Sequence, residues 1–221
     1  MSDQPMDRFH QKSGKMSQDE IREESLLATA LDHVARLQMR PWGMHGVAHW
    51  WRVRHNGLLL APSTGADAKV VRMFAIFHDS HRQNDHADPM HGPRAAQWIE
   101  RVRLSAGSEH RSADLPDASL TRAAIVALSD AQFAQLHTAC TLHTSAIHHD
   151  DPTIATCFAA DRLDLGRVGK RPDPKYIPID RAILTDTVIE EAIARTESAL
   201  NWTDAAEFTR TWGLVIPDRH E

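Results

Sequence analysis

Residues 70–79 read VVRMFAIFHD. From about Ala66 to His78 the run is apolar nearly all round, a pattern that a helix carries when every side of it is packed against protein. His78 and Asp79 follow directly, so an imidazole and a carboxylate arrive from the interior at the end of a buried helix. Adjacent helical positions point about a third of a turn apart. Both groups can therefore reach one ion lying just beyond that end.

Helical periodicity continues on either side. Upstream, Ile21, Leu26, Leu27, Ala30, Leu31, Val34 and Leu37 predict a helix over Asp19 to Leu37, broken by Pro41, Trp42 and Gly43. A second helix is expected from about Gly46 to Leu60, with PSTGAD as the turn before the buried one. Downstream, the polar stretch SHRQNDHADPMHG is rich in side chains able to contact an anion, and it leads into a helix through Ala95, Ala96, Trp98 and Ile99. The segment SAGSEHRSADLPD reads as an excursion, followed by helices over Leu120 to Leu128 and Ala131 to about Ile147. Asp151 is a candidate N-cap with Pro152 at the first helical position, and Gly166 and Gly169 end that helix. A last helix is expected from about Asp180 to Leu200. The chain thus reads as all-α: a flexible arm over 1–18, one compact helical bundle over 19–200, and an extension over 201–221 whose Trp202 and Trp212 dock on the body.

Composition narrows the function classes. With 221 residues and 42% hydrophobic content the chain can bury a core of its own. A net charge of -5 and a pI near 6.3 are the wrong balance for a general nucleic-acid binder. Cys140 and Cys157 match no zinc motif and are too few for a disulfide scaffold, so a reducing cytoplasm is expected. The N-terminus lacks an apolar signal core and no run is suited to spanning a bilayer, so no membrane partner is expected.

The remaining chemistry gathers around His78 and Asp79. His49 shares a helical stripe with Gly46, Val53, Gly57 and Leu60, and so faces inward. Asp161 sits one turn beyond Cys157 and Phe158 and one turn before Leu165. Burying that carboxylate unpaired would cost several kcal/mol, and a cation is the economical remedy. Imidazole and carboxylate together suit Mn, Fe, Co, Ni or Zn, with Mg also open. His143 lies on the stripe Phe133, Leu136, Cys140, His143, Ile147, and His91 lies in DPMHG at a helix start. His148 and His149 read as loop residues.

The ordered set HGVAHWWRV, FHD and ADRLD, with one His, then His-Asp, then Asp, resembles the HD superfamily of metal-dependent phosphohydrolases over Met44 to Gly169. The longer strings, including HDDPTIATCFAADRLDLGRVG and RPDPKY, look like a bacterial subgroup of small HD proteins without an established substrate. The resemblance implies an interhelical metal site formed by His49, His78, Asp79 and Asp161, one ion being expected and two possible. It implies hydrolysis of a phosphate ester of a nucleotide or other small phosphorylated molecule, with Asp79 and Arg82 as catalytic groups. In two-metal members the HD aspartate bridges and extra histidines hold the second ion; by position His91 and His143 resemble these. Arg82, Asn84 and Arg162 are candidates to contact phosphate, although Arg52 and Arg162 equally suit helix packing. Asp164, one turn from Asp161, is placed to orient a ligand or bind an arginine. Many family members carry Asp where this chain has Gly46 or Ala48, so an outer carboxylate is expected to be missing there, and Pro93 is expected to disturb the helix start near His91. His49 rather than His45 is chosen because it precedes WWRV. Two rival readings are a di-iron HD-type oxygenase, which would need both His91 and His143, and a non-catalytic nucleotide- or ligand-binding module.

Overall fold

The central helix forms where the apolar run predicts it, and its side chains are enclosed on all sides. In the computed structural model, which describes residues 43–105 and 119–197, α1 spans Val47–Thr64 and α2 spans Ala68–Phe77. Val70, Val71 and Met73 through Phe77 are all buried. Asp67 caps α2, its Oδ1 accepting from the amides of Lys69 (2.8 Å) and Val70 (3.2 Å), which satisfies two of the four amides a helix start leaves unpaired. The chain then forms α3 (His91–Leu104), α4 (Ser119–Val126), α5 (Asp130–Leu142), α6 (Pro152–Arg162), two 3-10 turns (Leu165–Val168 and Pro174–Tyr176) and α7 (Asp186–Glu197). Every regular element among the described residues is helical, and none of these helices is long and apolar enough to cross a membrane.

Helix α1 packs on α2 and α6, and α3 packs on α5. The main core joins Trp50, Val53, Phe74, Phe77, Ile99 and Leu136, while Leu60, Leu163, Ile177, Leu184 and Ile189 form a smaller one toward α7. The α1–α2 crossing is close enough that a Cβ on Gly57 would collide with Val71 Cγ1, so only glycine fits there.

Several boundaries differ from expectation for local reasons. Helix α1 runs through Pro62, because the ring removes only one late hydrogen bond, and Gly65 in the left-handed conformation (φ 75°) closes the helix by donating to Ala61 O. Pro93 does not displace α3: it falls in the first turn, where its missing N–H would have had no helical partner. Helix α5 stops at Leu142, short of Ile147. Asp180 to Thr185 form turns, so α7 starts at Asp186. The arm, the helix expected over Asp19 to Leu37 and the tail with Trp202 and Trp212 lie outside the described residues.

Candidate metal centre

Helix ends deliver the donors. His49 lies in the first turn of α1, His78 caps the C-terminus of α2, His91 opens α3, His143 caps the C-terminus of α5 and Asp161 lies in the last turn of α6. Three helix C-termini, each carrying partial negative charge, thus contribute to one locus, which favours a cation. His49, His78, Asp79, His91 and His143 are buried, and the Asp161 side chain is 14% exposed.

The first cluster is His49, His78 and Asp79. His49 Nε2 and His78 Nε2 are 3.0 Å apart, Asp79 Oδ2 is 3.5 Å and 3.8 Å from them, and Asp161 Oδ1 is 3.4 Å and 3.9 Å away. What lies on the far side of each ring decides its chemistry. His49 Nδ1 donates to Asp164 Oδ2 at 2.7 Å, and His78 Nδ1 donates to the carbonyls of Phe74 (3.1 Å) and Ala75 (3.2 Å). With Nδ1 holding the proton, Nε2 of each neutral ring presents a lone pair. Burial favours that neutral form, pushing His78 down to about 3 and, with the Arg167 charge beside it, lowering His49 as well. Two lone pairs so close repel unless a cation meets both. Donors about 2.1 Å from one ion at a right angle would stand about 3.0 Å apart, so the spacing fits a shared transition-metal ion.

The second cluster is Asp79, His91 and His143. His91 Nε2 is 2.8 Å from both His143 Nε2 and Asp79 Oδ1, and His143 Nε2 is 3.8 Å from that oxygen. Again each Nδ1 is engaged by a main-chain carbonyl, Asp88 O for His91 and Cys140 O (2.8 Å) for His143. Asp79 therefore turns Oδ2 to one cluster and Oδ1 to the other, the disposition of a bridging carboxylate. Burial alone would raise its pKa, but the surrounding imidazoles, His78 first and then His143, His45 and His91, hold it well below the usual range. Asp161 is likewise lowered against burial, chiefly by Arg167 and then by the imidazoles. Gly92 is required here: a Cβ would strike Cys140 O and come within 2.8 Å of His143 Cε1.

The outer carboxylate expected to be missing near Gly46 comes from far along the chain. Asp164 is fully buried and accepts from His49, from Arg52 Nε at 2.6 Å and from Thr196 Oγ1 at 2.9 Å. It thus both orients a ligand and binds an arginine. Asp164→Ala is expected to weaken metal affinity about 10- to 100-fold, measured by competition with a chromogenic chelator; unchanged affinity would remove its orienting role.

The loop after Asp79 is braced around Asp88, whose Oδ2 accepts from Gln83 N (2.9 Å) and Arg94 Nη2 (2.5 Å). Arg82 sits over the second cluster, Nη1 being 3.4 Å from Asp79 Oδ1 and 3.2 Å from His91 Nδ1 while Nη2 donates to His86 O. Two residues expected to contact phosphate have other partners here. Asn84 is exposed and its Oδ1 accepts from His86 N. Arg162 spends its guanidinium on the carbonyls of His143, Ala146, Ile147 and Tyr176, which pins the loop carrying His143; its role is packing. His149 accepts from Asp151 N, as a loop residue would.

His45, set aside in favour of His49, and Arg167, which the sequence reading did not single out, also contribute. His45 donates from Nδ1 to Asp79 Oδ2 at 3.0 Å without joining either donor cluster, and Arg167 stands 3.4 Å from Asp161 Oδ1. The i,i+3 spacing of Arg167 from Asp164 was the available signal for the latter.

Beside the site, His81 packs on Trp98, and burial together with the Arg101 and Arg94 charges pushes it from 6.5 down to about 4. Between those values the unfolded chain binds the proton that the folded one refuses. Stability is therefore fully present above pH 6.5 and falls toward pH 4. The urea midpoint is expected to be lower at pH 5 than at pH 7, and less so in His81→Gln; an identical pH dependence in that variant would contradict the assignment.

No family model, no curated protein and no solved structure matches the chain. Function is therefore read from the side chains themselves.

Proposed function

We propose that this protein is a metal-dependent phosphohydrolase of the HD type that cleaves a phosphate ester of a small molecule. The supporting observation is the pair of buried His/Asp clusters joined by Asp79, each presenting imidazole Nε2 lone pairs to one of its carboxylate oxygens. His49, His78, Asp79 and Asp161 would hold the first divalent ion, and Asp79, His91 and His143 a second. Such ions supply a nucleophile from water at neutral pH and polarise a phosphoryl oxygen.

The protein's own groups do the rest. Asp79, kept ionised, accepts a hydrogen bond from the attacking water and orients it; its depressed pKa suits orientation better than storing a proton. Arg82 places one guanidinium nitrogen, Nη1, and its positive charge at the second cluster, where it can meet a phosphate oxygen. Asp164 fixes the ring of His49, and main-chain carbonyls fix those of His78, His91 and His143, so the donors are in place before any ligand arrives.

Elemental analysis of the purified protein, then a phosphatase screen over nucleotides, sugar phosphates and a chromogenic ester with Mn, Co, Ni, Zn, Fe or Mg restored, tests the reading. Hydrolysis that a chelator abolishes and one of these ions restores is expected. Absence of hydrolysis with every ion would count against it. The second cluster is also what a di-iron oxygenase would use. Two irons per chain with oxygen uptake would favour that alternative, whereas Arg82 beside Asp79 and His91 favours an anionic substrate.

A further inference from the structure

We propose that Arg167 is a second phosphate clamp, standing on the Asp161 side of the site as Arg82 stands on the Asp79 side, and that the group both take is a phosphate dianion, the terminal phosphate of a monoester. The inference rests on the phosphohydrolase reading above and deepens it.

Arg167 lies in the 3-10 turn Leu165–Val168, closed by Gly169 in the left-handed conformation (φ 72°), with Gly166 against Thr196. Its side chain is only 9% exposed. Nη1 donates to Asp164 O at 3.0 Å, Nη2 is 3.4 Å from Asp161 Oδ1, and Nε is buried without a hydrogen-bond partner. A guanidinium carries five N–H donors, and a buried one left unmatched costs free energy that an added acceptor would recover. Arg52 shows what a structural arginine looks like here: it is bound to Asp164 at 2.6 Å. Arg167 holds its carboxylate more loosely, on the same oxygen that faces His49 Nε2 and His78 Nε2.

Charge decides what Arg167 would meet. Around the clusters, the carboxylates Asp79, Asp161 and Asp164 are balanced by Arg52, Arg82 and Arg167. The first divalent ion, bound by His49, His78, Asp79 and Asp161, would draw on the oxygen that Arg167 touches and by itself leave an excess of two positive charges, which a second ion would raise further. A guanidinium beside that ion is then repelled unless an anion lies against both. A monoester dianion offsets two of those positive charges, a diester only one. The spare donors of Arg167 match a phosphate oxygen in kind and charge.

The test is calorimetric titration of inorganic phosphate, methyl phosphate and dimethyl phosphate into the manganese-loaded protein, with manganese content and melting temperature measured alongside. Arg167→Gln is expected to raise the Kd for phosphate about tenfold or more, the loss of one charge-assisted partner, while manganese per chain stays at the wild-type value. Arg167→Lys keeps the charge but not the fork and should raise it about threefold. Wild-type protein should bind methyl phosphate and not dimethyl phosphate. Wild-type phosphate affinity in Arg167→Gln, or in Arg167→Lys if the glutamine variant loses its cooperative melt, would overturn the proposal and leave the phosphohydrolase reading standing. Equal binding of the two esters would overturn the dianion. Failure of wild-type protein to bind any phosphate with manganese present would bring down the phosphohydrolase reading together with this one.

Discussion

Asp79→Ala is expected to abolish turnover, by about a thousandfold or more, and to strip the protein of bound metal. No other side chain among the described residues belongs to both clusters. Oδ2 lies 3.5 Å and 3.8 Å from the Nε2 atoms of His49 and His78, and Oδ1 lies 2.8 Å and 3.8 Å from those of His91 and His143. Removing the carboxylate leaves His91 and His143 without the carboxylate of their cluster and His49 and His78 with Asp161 alone, and leaves Arg82 and His45 without their shared partner. Asp79→Asn separates charge from shape. It keeps one acceptor oxygen in place and should still lose most of the activity, because a neutral amide is a poor ligand for a hard divalent ion. Rates normalised to metal content, with circular dichroism as the check on folding, give the answer. Hydrolysis at the wild-type rate in either variant would refute the placement of Asp79.

His49→Ala should weaken metal retention at least about a hundredfold, the upper end of what loss of an outer partner alone costs. His49 is wholly buried, so its only exits are the ion side through Nε2 and Asp164 through Nδ1. The fold should survive the loss, since Asp164 retains Arg52 and Thr196. His143→Ala makes the contrasting case, because its ring serves only the second cluster. Dialysis followed by elemental analysis should show His49→Ala nearly free of metal and His143→Ala short of one ion only. Unchanged metal content in His143→Ala would remove the second ion from the account, and full retention in His49→Ala would remove the first.

Local signals in the sequence reached the helices and the ligand-bearing faces. The apolar surround of Phe74 and Phe77, the Asp151 cap ahead of Pro152 and the inward stripe carrying His49 are all decided by residues within a turn or two, and each is found where the pattern placed it. Proline was over-read, because its cost depends on whether its missing donor would have had a partner. Neither Pro62 nor Pro93 interrupts a helix. The Ser129 and Gln132 capping box that starts α5 was present in the sequence and passed over.

What could not be read locally is pairing across the chain. His49 and Arg52 meet Asp164 from 115 and 112 positions away, and which of several arginines turns toward the clusters depends on which loop carbonyls compete for it. Arg162 lost that competition to four main-chain oxygens, whereas Arg167, in a tight turn with fewer acceptors, stands at Asp161. His45 and His49 differ by one turn of periodicity, and only the packing shows that the former reaches Asp79 from the rim while the latter is enclosed.

Anomalous scattering from crystals grown with manganese tests the central claim most directly. A peak bounded by His49 Nε2, His78 Nε2, Asp79 and Asp161 is the result expected. With manganese in excess, a map showing those side chains bonded only to one another, and no anomalous density among them, would contradict it.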